Sequence, residues 1–305
     1  MPPNSNSSVA QAERRAISAL LSNTGKRRPE EAIVARSRGL LAELGRTEPP
    51  FPPETLAFLQ GIRKITRADI PFDACLVPVE DGFRVDLCKY HGKARQNFSI
   101  THEIAHTFLI EHEPFLRAPK REKGIGESSN YGVVERLCDI AAAELLLPES
   151  LFAKDVWQCG PSLDSIVYLS ARYCASLSAT AWRFAEMGFW KCYFVVWGLG
   201  EREGSNSVSL RVRALFRSQY ASPISKSEVA VASQSTTVHC ALSTNSIVKG
   251  RDYMVLGGEP QEYYVESMKL GRGDSGQVLS MVLLQPDAEY VASRRRNGSQ
   301  YQLFV

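Results

Sequence analysis

The chain has 305 residues, 44% of them hydrophobic and 23% charged, which allows two domains or one large one and a sizeable buried core. Lys and Arg number 36 against 33 Asp and Glu, a net charge of +3 that is too balanced for a dedicated nucleic-acid coat. The composition excludes a collagen-like or wholly disordered chain, and no run approaches the ~20 apolar residues of a membrane helix. Seven cysteines without a C-x-x-C pair read as scattered thiols of a reducing compartment. The polar start, Met1 to Ser8, lacks the apolar stretch of a signal peptide, so a cytoplasmic location is expected.

Residues 1–29 read as an extension, helical from Val9 to Leu21 and ending in Lys26-Arg27-Arg28. A helix over Glu30–Leu44 is indicated by apolar Ile33, Leu40, Leu41 and Leu44 and by Gly45 just past its end. The prolines at 49, 50, 52 and 53 form a connector, and Pro53 opens a short helix to Ile62. Two strand-like runs, Ala74–Val79 and Phe83–Tyr90, flank the hairpin signal Glu80-Asp81-Gly82. A strong helix runs from Phe98 to about His112, with Asn97 or Ser99 near its start, and another from Val133 to Leu147, stopped by Pro148. Helical patterns over Leu163–Cys174 and Ala179–Met187 follow, and from Trp190 onward the alternation turns to that of strands.

Chemistry concentrates in His102-Glu103-Ile104-Ala105-His106, an H-E-x-x-H. Residues four apart on a helix lie about 40° apart around its axis, so both imidazoles can reach one metal ion. Glu103, beside the first ligand, is placed to accept a proton from water that the metal has acidified. A catalytic zinc needs a third protein ligand. His112 has the metzincin spacing, but Leu109, a helix former, occupies the position where that geometry needs Gly. His112 is therefore expected at a helix end, near the negative pole of the dipole. The better candidates are Glu135, Asp139 and Glu144 on the Ala-rich second helix, where one carboxylate can ligate and another orient a histidine. Spacing alone does not rank them.

Two blocks, Arg95–His106 and Glu135–Pro148, resemble the ImmA/IrrE family of bacterial zinc metallopeptidases, and the similarity extends through Tyr173–Phe189. The resemblance implies His102, His106 and Glu135 as ligands of Zn²⁺, Glu103 as the base, and Asp139 as a candidate for orienting a histidine. Mn²⁺ or Fe²⁺ also suits such ligands. It implies a small gluzincin-like zinc peptidase domain over 30–157 and a helix-turn-helix-like segment over 158–190; with the extension over 1–29 and a β-rich C-terminal domain over 191–305, both read from the sequence pattern, the chain is expected to be α+β, the last domain taking a sensory or regulatory role. It further implies a cytoplasmic endopeptidase whose partner is a protein substrate, a helix-turn-helix repressor, so that cleavage switches on stress-response or mobile-element genes. The competing readings are a proteolytically silent metal-bearing regulator or antitoxin, and a DNA-binding regulator using residues 163–188.

Other signals have plainer readings. The DNA reading has only Arg172, Arg183 and Lys191 for phosphate contacts, which favours a structural or docking role. Gly271-Arg272-Gly273-Asp274-Ser275-Gly276 matches G-x-G-x-x-G, but the strand pattern after it indicates a turn, not a dinucleotide site. Arg294-Arg295-Arg296 reads as a solvated face. Cys138, three residues from Glu135, reads as a buried packing thiol ahead of a redox group near the metal.

Overall fold

The computed structural model describes residues 5–110, 132–202, 205–231, 237–271 and 276–284. His112 and Arg294–Arg296 lie outside them. The chain divides into two compact units, one made of 1–158 with 167–183 and the other of 159–166 with 184–305.

The first unit begins with α1 (Ser5–Thr24) and α2 (Pro29–Leu44). Pro29 occupies the first turn of α2, where its missing N–H costs nothing, and Gly45 closes the helix in the left-handed conformation at φ 66°. The helix α3 (Pro53–Leu59) is shorter than its sequence pattern, because Ile62 already starts the strand β1 (Ile62–Ala68). β1 runs parallel to β3 (Gly82–Cys88), which pairs antiparallel with β2 (Ala74–Val79), giving the order β1-β3-β2. The β2–β3 hairpin turns at Glu80-Asp81, and Gly82 is required beside it. Its φ is 145°, and a Cβ there would sit 2.3 Å from the Gly61 carbonyl oxygen.

Next come α4 (Lys93–Ile110) and α5 (Val133–Leu146), which pack on each other. α4 starts five residues before the apolar pattern does, so Asn97 and Ser99 lie inside the helix and not at its cap. Ile100, Ile104, Ala105, Phe108 and Leu109 are buried along α4, and Ala141, Ala142 and Ala143 along α5. The alanines let the two helix axes approach closely. α4 also packs against α3, β2 and β3. Then follow α6 (Glu149–Cys159), α7 (Leu163–Tyr173) and α8 (Leu177–Met187). Ser176 caps α8 as the sequence indicates, its hydroxyl accepting the Ala179 N–H at 3.1 Å. Asn97 of α4 donates to the carbonyl of Cys174 in the α7–α8 turn at 3.0 Å.

The second unit holds a six-stranded antiparallel sheet in the order β5-β4-β9-β8-β7-β6. Its strands are β4 (Cys192–Arg202), β5 (Ser205–Arg217), β6 (Val229–Val231), β7 (Val248–Leu256), β8 (Gln261–Leu270) and β9 (Gln277–Leu283). The helix α9 (Thr237–Ser243) packs on β7, β8 and β9. Its Val238 and Ala241 join a core of Tyr193, Val195, Trp197, Val265, Val278 and Val282. The Asp252 carboxylate caps α9, accepting the Thr237 N–H at 2.8 Å and the Thr237 hydroxyl. Residues 272–275 of the G-x-G-x-x-G segment lie outside the described residues; the strand β9 follows it, where a dinucleotide fingerprint must open a helix. The expected α+β architecture, helical first and β-rich towards the C-terminus, is thus what the chain adopts.

Candidate metal centre

The residues singled out by the sequence sit where α4 meets α5. His102 and His106 stand one turn apart on α4, their ring centroids 5.0 Å from each other and the rings close to perpendicular. Both are buried, as is Glu103 between them in sequence. Opposite them, near the start of α5, Glu135 spans the pair. Its Oε2 is 3.4 Å from Nε2 of His102 and its Oε1 3.5 Å from Nε2 of His106. One turn further, Asp139 Oδ1 lies 2.8 Å from Nδ1 of His102.

That last contact sets the proton on His102. An ionised carboxylate can only accept, so Nδ1 carries the hydrogen, and in the neutral ring Nε2 then presents a lone pair towards Glu135. A lone pair and a carboxylate oxygen facing each other at 3.4 Å repel, unless a proton or a cation sits between them. The donor set therefore fits a divalent ion held by two imidazole nitrogens and a carboxylate, with an acid behind one histidine fixing its tautomer.

Three candidates on α5 left level by spacing take different places here. Glu135 and Asp139 face the histidines. Glu144 lies at the other end of the helix, buried, where it accepts hydrogen bonds from Arg38 Nε at 2.7 Å and from Arg183. A donor that sequence reasoning ranked as packing also belongs to the cluster. One ligand atom from each of His102, His106 and Cys138 lies within 4.8 Å of the other two, and Cys138 is fully buried. Its position three residues after Glu135, on the same helix face, is the signal that points to it.

β2 borders this region. Burial pushes the Cys75 thiol of β2 above its ordinary range, and the carboxylates of Asp86 and Glu103 act in the same direction. In α7 and α8, Arg172 is held by Asp155 at 2.8 Å and Arg183 by Glu144, while Arg183 also donates to the Leu147 carbonyl at 3.2 Å. Two of the three cations that could serve DNA binding are thus committed to internal partners.

Residues 86–184, from within β3 to within α8, match the model of the IrrE N-terminal-like domain family. The radiation response metalloprotease IrrE of Deinococcus deserti is 27% identical over 188 residues, covering 60% of this chain and 66% of the relative. That of Deinococcus radiodurans is 32% identical over 92 residues, covering 30% of this chain and 27% of the relative. The matched stretches thus span less than two thirds of these relatives. A transcriptional regulator of Mycobacterium tuberculosis superposes with a TM-score of 0.51 at 13% identity, covering 89% of this chain and 81% of that one, a likeness of fold alone. Both sequence blocks that carry the family resemblance fall within the matched region, so residues 86–184 are similar to the metallopeptidase domain of the ImmA/IrrE proteins.

Proposed function

We propose that the chain is a zinc-dependent endopeptidase that cleaves a protein partner, a helix-turn-helix transcriptional repressor, in the cytoplasm, and so releases stress-response or mobile-element genes. The observation that carries the peptidase reading is the Glu135 carboxylate spanning the Nε2 atoms of His102 and His106, with Asp139 behind His102. His102, His106 and Glu135 would hold the ion. Zinc suits two imidazoles and a carboxylate, as do Mn²⁺ and Fe²⁺. When bound, the ion supplies Lewis acidity, polarising a peptide carbonyl and acidifying water.

Glu103 does the proton work. Its carboxylate accepts a proton from the attacking water, the water oxygen bonds to the scissile carbonyl carbon, and the C–N bond breaks as Glu103 returns the proton to the departing amine. Burial of Glu103 in the α4–α5 region keeps bulk water from competing for that proton. Asp139 would hold the His102 ring in the tautomer whose Nε2 lone pair serves the ion. The repressor as substrate rests on the family relationship, and the names of the Deinococcus relatives support a stress-response setting.

The test is Glu103→Gln, made in the full chain and produced with a helix-turn-helix repressor encoded nearby. The variant is expected to keep its metal and its unfolding midpoint while the repressor stays intact. Cleavage by Glu103→Gln at the wild-type rate would remove Glu103 from the reaction.

A further inference from the structure

Resting on the metal reading above, we infer that Cys138 is a fourth protein donor to the same ion, so that the resting site is closed by two imidazoles, a carboxylate and a thiolate. Three facts lead there. The ligand atoms of His102, His106 and Cys138 all lie within 4.8 Å of one another, whereas two donors sharing one zinc are separated by about 3.5 Å; a small side-chain rotation closes the difference. Cys138 and Glu135 are three residues apart on α5, on the face that meets α4, so a single ion can meet both. The cluster is buried and drawn from two packed helices, which holds the donors together at little entropic cost.

A packing thiol needs no nitrogen neighbours, whereas Cys138 has a ligand atom of each of two imidazoles within 4.8 Å. The consequence is chemical. Four protein donors make a closed site of the structural kind, and a position for water opens only when one donor lets go. Glu135 and Cys138 become exchangeable third donors. The thiolate anchors the ion while the carboxylate is displaced, or the reverse.

The full chain, freed of metal and reloaded with Co²⁺, reports on this directly through its absorption spectrum. A thiolate-to-cobalt charge-transfer band in the near ultraviolet is expected in the wild type, retained in Glu135→Gln and absent from Cys138→Ser. Competition with a chromophoric chelator gives a second readout: each single variant keeps one ion more weakly, by about tenfold or more, and the double variant Glu135→Gln/Cys138→Ser loses it. Cobalt binding without the charge-transfer band in the wild type would overturn the thiolate donor and leave the His102–His106–Glu135 site standing. A wild-type chain that binds no cobalt at all would overturn both. The wild-type spectrum decides even if Cys138→Ser fails to fold.

Discussion

At the residue scale, the proposed chemistry turns on the tautomer of one imidazole. Asp139 Oδ1, 2.8 Å from His102 Nδ1, favours a proton on that nitrogen, and what is proposed for Nε2 follows from that. A second buried residue gives a prediction of its own. Burial pushes the Tyr173 phenol well above its ordinary value of about 10, and its hydrogen bond to Asp155, 2.9 Å long, acts in the same direction. The folded state thus keeps a proton that the unfolded chain releases above about pH 10. The stabilisation is complete below that pH and is lost as pH rises further. The resistance of the wild type to urea is therefore expected to fall as pH rises above about 10, and that of Tyr173→Phe to fall less over the same interval. Parallel curves for the two proteins would contradict the assignment.

Among the elements, α5 does two jobs from its two ends. Near its start it delivers Glu135 and Asp139 to the histidines; near its end Glu144 ties it to Arg38 of α2 and Arg183 of α8. The partners differ in exposure. The Arg183 side chain is 12% exposed and that of Arg38 is 51% exposed, so removal of Glu144 takes the carboxylate from a buried guanidinium, whereas removal of Arg38 leaves Glu144 paired with Arg183. Glu144→Ala is expected to cost about 3 kcal/mol and Arg38→Ala about 1 kcal/mol or less, measured as shifts of the urea midpoint. Equal costs would show that Arg183 finds another partner.

How legible these elements were depended on what their sequence had to do. α4 and α5 bury apolar stripes over several turns, so their period was plain, and Pro148 and Gly45 marked helix ends by their backbone chemistry alone. β1 went unread because only Ile62 is fully buried; Arg63, Lys64 and Arg67 face solvent and break the apolar alternation. α6 was hidden for the same reason, with only Phe152 and Val156 buried. The H-E-x-x-H needed nothing beyond a helix to bring its histidines together. Choosing among Glu135, Asp139 and Glu144 needed the register between α4 and α5, which is tertiary and is written in no single segment. The same register brings in Cys138, whose type and burial alone suit a core residue equally well.

For the whole molecule, the metallopeptidase similarity lies over residues 86–184, and the antiparallel sheet of the second unit, which begins at Cys192, stands outside that match. The second unit has its own core and its own capped helix, with Trp197 donating to Ser280 at 3.0 Å beneath the sheet face, which is the makeup of a folded module. Among the described residues no helix is long and apolar enough to cross a membrane. A divalent ion held between α4 and α5 is the centre of the proposed function. Its most direct test is the metal content of the full chain purified without chelator, compared with His102→Ala and His106→Ala. One divalent ion per chain in the wild type, lost from both folded variants, is the predicted result. A wild-type chain free of metal, or one whose metal survives both substitutions, would contradict the account.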